Sequence, residues 1–279
     1  MLDTSFHQGA GLHSFTPQSE LRVLAVASQE QAESGLEMET LWQLCASLQR
    51  LGYPVVVLDG TAYETEASPG LQHLLRQAPW NEGASLELGG NASSLAVLPA
   101  AKGLSELARI AHATDAPPLQ GLLPYFRAYG LLVLHAPANV LCPLLTHTAT
   151  TPLVVMPKGA AGVLTSYKHL KQIALHSGLP CTVAAVVRGN GAPERNKAAG
   201  ALRTLQQCAD RHLGGRMHTT TLSADNSQDI QRLALQLLEN AGTIGGSLSA
   251  MPTHNLTGLP SHGVRSHCSD VYRQRPARP

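Results

Sequence analysis

LRVLAVASQEQAESGLEMETLWQLCASLQRLGYPVVVLDG, residues 21–60, is the stretch on which the fold turns. Val23–Ala27 is a short apolar, β-branched run and predicts a buried strand. Leu36, Leu41, Leu44, Leu48 and Leu51 recur at mostly three- and four-residue spacing, which predicts a helix, and Gly52 stops it. Pro54–Leu58 does not alternate and reads as a second strand buried on both faces, with Asp59 at its end. Strand, loop, long helix, strand is the outline of a nucleotide-binding opening. Such a loop normally holds phosphate with glycines and a lysine. Here the loop SQEQAESGLEME has one glycine, no lysine and four glutamates.

The same alternation continues along the chain. Strands are predicted at Leu95–Leu98, Leu131–Leu134, Leu153–Met156, Cys181–Val187 and, more weakly, Met217–Leu222. Helices are predicted at Leu71–Gln77, Leu104–Ala113, Leu119–Tyr129, Val140–Thr146, Gly162–His176, Arg195–Leu213 and Asp229–Asn240. Short apolar strands alternating with helices predict an α/β protein: a mostly parallel sheet with helices on both faces. Residues 1–20 form a polar segment, 21–245 the α/β domain. Residues 246–279, with Pro, Ser, His and four arginines, read as a disordered tail.

Composition narrows the classes of function. The 279 residues carry a net charge of +1, which gives no reason to expect nucleic acid. Hydrophobic residues at 43% suffice for a core, which aromatics at 4% leave to Leu, Val and Ala. The five cysteines show no paired spacing, and four lie in apolar or helical stretches, as reduced thiols of a cytosolic protein would. No apolar run reaches the ~18 residues of a membrane span, and the first residues lack the pattern of a secretion signal. The expected location is therefore the cytoplasm. His254, His262, His267 and Cys268 cluster in the tail without the short spacing of a zinc site, and no serine stands in a Gly-x-Ser-x-Gly elbow.

The order of landmarks resembles the MinD/ParA group of deviant Walker ATPases, most closely its flagellar branch, FlhG (FleN). LCASLQRLGYPVVVLDG resembles the family's NLAxxLAxxGxxVLLLDxD. PGLQHLL at 69–75 resembles the following LxxLLG piece, and SSLAVLPAAKGLSELA at 93–108 the strand ending in PAxxG. YGLLVLHAPA at 129–138 occupies the place of YDxIIIDxPAG, and PLVVMPKGAAGVLTSYKHLK at 152–171 that of VVxPEPxAxxDAYxxIK. FHQGAGLHSF at 6–15 resembles the DQAxxLR motif ahead of the domain. The resemblance implies a P-loop NTPase-like fold of the SIMIBI/MinD kind.

It also locates the family's chemistry, and that chemistry is missing. The places of the two lysines fall near Glu30 and Glu37, in a loop where Ser28, Gln29 and Gly35 would border the phosphates. Two carboxylates would face a triphosphate; at ~4 Å a unit charge pair is worth a few kcal/mol even when screened. Ser34 and Thr40 are the nearest hydroxyls and lack a preceding lysine to set them on magnesium. The acid that ends the fourth strand is His135, a poor magnesium ligand, expected at the rim of an empty cleft. Asp59 survives at the end of the second strand, and its expected role is to bond loop amides. Lys158 lies where the family contacts adenine and is expected in solvent, like Lys168 and Lys171 on the next helix.

The resulting expectation is a non-catalytic MinD/FlhG-like protein with no cofactor, monomeric, acting as a scaffold or regulator of flagellar assembly, placement or number, at the cell pole. The alternatives are a diverged but active ATPase using ATP and magnesium, or a partner-binding protein of another polar or division-positioning system. By the resemblance, the segment carrying Phe6, Gln8, Leu12 and Phe15 would dock on the flagellar GTPase FlhF or on basal-body or regulatory proteins. His7 and His13 replace that motif's acid and arginine. Asp229–Asn240 is amphipathic but lacks a basic flank, so membrane association is expected to be weak or absent.

Overall fold

Eight strands build one sheet in the computed structural model, which describes residues 20–29, 35–76, 95–113, 117–189, 191–214 and 217–245. In chain order the strands are β1 (Leu21–Ser28), β2 (Val55–Asp59), β3 (Leu95–Pro99), β4 (Leu131–Pro137), β5 (Leu153–Met156), β6 (Cys181–Val187), β7 (Met217–Ser223) and β8 (Gly242–Ile244). The helices are α1 (Leu36–Arg50), α2 (Leu71–Arg76), α3 (Ala101–Ala113), α4 (Ala138–Leu145), α5 (Gly159–His176), α6 (Ala192–Leu213) and α7 (Ser227–Glu239). The strand order is β3-β2-β4-β1-β5-β6-β7, all parallel, and β8 runs antiparallel to β1. This is the α/β class the sequence predicts, with helices on both faces.

Residue alternation along the central strands separates two cores. Val23, Ala25, Val56, Leu58, Leu132 and Leu134 face the layer formed by α2 to α6. Leu24, Val26, Val55, Val57, Leu131 and Val133 face α1 and α7. The central strands are therefore apolar on both sides, which is why they read as continuous runs. The predicted last helix packs on the sheet as α7, through Ile230, Leu233 and Leu237. Among the described residues no helix is long and apolar enough to cross a membrane.

Two expectations about local structure need correction. No helix spans Leu119–Tyr129; only a 3-10 turn forms, at Gln120–Leu122. Leu119, Leu122, Phe126 and Tyr129 are all buried, so the helical spacing marked burial correctly. Pro124 removes an amide donor in the middle of the segment and its ring crowds the preceding turn, which disfavours a continuous helix here. The other correction is β8, which the sequence did not announce. Gly-Thr-Ile is too short to form an apolar run, and it is recruited by the first half of β1. Because β5 pairs only with Val26 and Ala27, Leu21–Val23 is left for β8. Thr150 stitches the junction: its hydroxyl donates to the Val23 carbonyl (3.3 Å) and accepts from the Gly242 amide (3.1 Å).

Cys45, Cys142 and Cys181 are buried free thiols, and Cys208 is partly exposed and free. Burial pushes the Cys45 thiol up to about 12, which keeps it protonated. The expectations for residues 1–19, the tail and Cys268 lie outside the described residues.

Two glycines in helices test the packing with opposite signs. A Cβ on Gly162 would lie 1.9 Å from the Pro157 carbonyl oxygen, whereas one on Gly200 meets nothing within 4 Å. Gly200→Ala is expected to stabilise by about 0.5–1 kcal/mol through lost unfolded-state freedom. Gly162→Ala is expected to destabilise by about 1–3 kcal/mol through overpacking. Chemical denaturation of the two variants beside wild type checks both signs.

Candidate functional site

The site lies beyond the carboxyl ends of β1, β2 and β4, where open parallel sheets usually receive ligands. Alternation explains its members. Asp59 continues the Val55, Val57 phase of β2, and His135 the Leu131, Val133 phase of β4. The two are direct register partners, so both point to the α1 side of the sheet. Glu37 sits in the first turn of α1, in phase with buried Leu41, Leu44 and Leu48. It reaches over the strand ends from above.

The three side chains meet. His135 is 1% exposed and Glu37 6%. His135 Nε2 lies 2.8 Å from Glu37 Oε1, and Nδ1 lies 3.2 Å from Asp59 Oδ1. Burial works against a charge on the imidazole, but hydrogen bonds and charge from Asp59 and Glu37 outweigh it and raise its pKa from 6.5 to about 9. His135 is thus an imidazolium that donates to both acids. For Asp59, burial works upward, while the bonds from His135 and Thr61 and the imidazolium charge bring its pKa below the usual 3.8.

The surroundings hold the acids in place. Asp59 Oδ1 accepts from the Thr61 amide (2.9 Å) and hydroxyl (2.6 Å), which is the loop-bonding role expected of it. Glu37 Oε2 accepts from the Gln29 amide at 3.2 Å. The Gln29 side-chain amide donates to the Val155 carbonyl, tying the end of β1 to β5. Ser28, the last residue of β1, is buried. Gly35 enters α1 with φ 59°, a left-handed conformation that a side chain would strain. Thr40 spends its hydroxyl on the Leu36 carbonyl at 2.7 Å.

His135 therefore does not stand at the rim of an empty cleft. It is the centre of a closed ionic bridge, because the alternation of β4 turns it under α1 rather than outward. Glu37 likewise faces an imidazolium. Lys158 is exposed, as expected, at the start of α5 and two strands away from His135. Lys168 and Lys171 are exposed on α5. Glu30 and Ser34 lie outside the described residues. Among the described residues no group of three or more His, Cys, Asp and Glu side chains could hold a metal ion. Sequence reasoning singled out all three residues but not their pairing. The signal was there in the shared phase of positions 37, 41, 44 and 48.

No family model matches the chain. No curated protein matches it. Among solved structures it is similar to the cobyrinic acid a,c-diamide synthase of Mycobacterium smegmatis with bound ADP and magnesium. The identity is 17% and the TM-score 0.47, over 78% of this chain and 94% of that one. A plasmid partition protein from Borrelia burgdorferi matches at 13% identity and TM-score 0.42, over 78% and 96%. Protein DIP2308 from Corynebacterium diphtheriae matches at 12% and 0.44, over 79% and 98%.

The bridge makes stability depend on pH with a definite sign. His135 has a raised folded pKa, so its contribution is complete below pH 6.5 and is lost as pH climbs to about 9. The loss amounts to on the order of 3 kcal/mol. Asp59, held low, contributes above its ordinary 3.8 and loses that contribution on acidification. Denaturation of wild type and His135→Gln from pH 5 to 9.5 should show a difference that shrinks with rising pH.

Removing the imidazolium alone leaves two acids facing each other in a buried site. His135→Leu is expected to destabilise by about 3–5 kcal/mol. Adding Glu37→Leu removes the stranded carboxylate and should recover most of that loss, as denaturant midpoints of the single and double variants will show.

Proposed function

We propose that this chain is a non-catalytic α/β domain of the MinD/ParA kind whose nucleotide pocket is filled by its own side chains. Its role is that of a binding module, a scaffold or regulator in flagellar assembly, placement or number, without a cofactor. The observation that carries the first part is the buried Glu37–His135–Asp59 bridge. A triphosphate at these strand ends would meet two carboxylates, and the one cation between them is already shared. Even at an effective dielectric constant of ~20, an unpaired like-charge contact at 4 Å opposes binding by about 4 kcal/mol. A ligand would have to open the bridge and leave buried charges without partners.

The flagellar part rests on the resemblance of residues 6–15 and on the order of the landmarks in the sequence. In that reading Phe6, Leu12 and Phe15 are the apolar anchors of a helix laid on a partner. The partner of first choice is the GTPase FlhF or a basal-body or regulatory protein at the cell pole.

Calorimetric titration of the full chain with ATP and magnesium is the direct test. The expected result is no saturable heat at millimolar nucleotide. Micromolar binding that requires magnesium overturns the reading. So does ATP turnover that Asp59→Ala abolishes, which would make the chain a diverged ATPase. Capture from flagellated cells tests the partner: flagellar proteins are expected, and division proteins alone would assign the chain to another positioning system.

A further inference from the structure

The sheet has two edges, and they differ. β3 has five residues and ends in Pro99. β7 has seven residues, MHTTTLS, in unbroken register with β6 and without a bulge. It contains no lysine, no acid and no proline, the features that normally blunt an edge strand. His218 and Thr219 are exposed. Among the described residues no strand pairs with its outer side.

The helix beside this edge adds a second observation. One side of α6 is turned toward α5: Lys197, Ala198 and Ala201 line a cavity of about 200 Å³ with Met156 and Lys158. The opposite side therefore looks outward past β7. It carries Ala199, Arg203, Gln206 and Asp210, a continuous stripe at spacings of four, three and four. Arg203 and Asp210 are both exposed, and neither is in an ion pair among the described residues. A basic and an acidic residue seven positions apart on one stripe are complementary to the same stripe running the other way.

We infer that the β7 edge and this stripe of α6 form a two-fold interface with a second copy of the chain. The two β7 strands pair antiparallel about Thr220, so Thr219 of each chain lies opposite Thr221 of the other, and His218 opposite Leu222. Threonine pairs across antiparallel strands are favourable neighbours. The same two-fold sets Arg203 of each helix against Asp210 of its copy, which an isologous contact requires. The seven-residue edge runs about 23 Å, and the helices above it widen the contact. The interface is remote from the Glu37–His135–Asp59 bridge and independent of any nucleotide, and it replaces the monomer expected from sequence with a constitutive dimer.

Sedimentation equilibrium of the full chain across micromolar concentrations tests it. Wild type is expected to be a dimer. Thr219→Lys places a charge on each edge and should yield monomer at the same concentration. Arg203→Glu should weaken the dimer about tenfold, because two favourable pairs become repulsive. Asp210→Arg should do the same, and the double variant Arg203→Glu/Asp210→Arg should return to within about threefold of wild type. All these positions are exposed, so folding is preserved. A monomeric wild type overturns the inference, and so does a dimer unaffected by these variants or a charge swap that fails to restore it.

Discussion

A protonated histidine held between two acids fixes the upper end of this molecule. Glu37 comes from a helix, Asp59 and His135 from adjacent strands, and His135 lies 98 residues from Glu37 and 76 from Asp59. The bridge ties the first turn of α1 to β2 and β4 where their backbone hydrogen bonding ends. Gln29 extends it to β5 through Val155. Four strand ends and one helix start are therefore tied together by hydrogen bonds of Glu37, Gln29, Asp59 and His135. Glycine at position 35 permits the sharp entry into α1 that points Glu37 inward.

The rest of that end is neutralised from within by the same means. Buried Glu64 accepts from the amides of Lys102 (2.7 Å) and Gly103 (2.8 Å) at the start of α3, and from Gln72 (3.3 Å) at the start of α2. Buried Asp229 accepts from the Ser223 amide (3.1 Å) and from Arg195 (2.8 Å). Helix N-termini and end-of-strand amides are the groups that ordinarily attract phosphate. Here carboxylates of the chain accept from such amides.

Most of the scaffold was legible because its strands are doubly buried and therefore apolar without interruption. β5 and β6 follow from composition alone, and the helices from leucine spacing. The errors have one origin: periodicity reports which residues are buried, not which amides can bond. Leu119–Tyr129 buries a helical pattern, yet with Pro124 in its middle it forms only the 3-10 turn at Gln120–Leu122. Gly242–Ile244 has no pattern and becomes a strand because β1 offers an unpaired edge. At the site, sequence identified the residues and misjudged their environment. A carboxylate near a glycine loop suggests exposure to ligand, yet Glu37 shares its face with three buried leucines. Histidine at a strand end suggests a rim, yet the phase of β4 buries it. Pairing of charges between distant segments has no local signature.

A buried ion bridge is an expensive way to fill space, since apolar side chains of similar volume usually do so at lower desolvation cost. What it provides is a defined geometry: an imidazole with one ring nitrogen on Glu37 and the other on Asp59 satisfies both acids only when helix and strands stand in this relation. Because α1 and α7 share one core over the sheet, a fixed α1 also fixes the layer on that face. Here the ordering charge is part of the chain itself, so the surfaces built on α1, α7 and the strand ends are fixed by contacts within the protein.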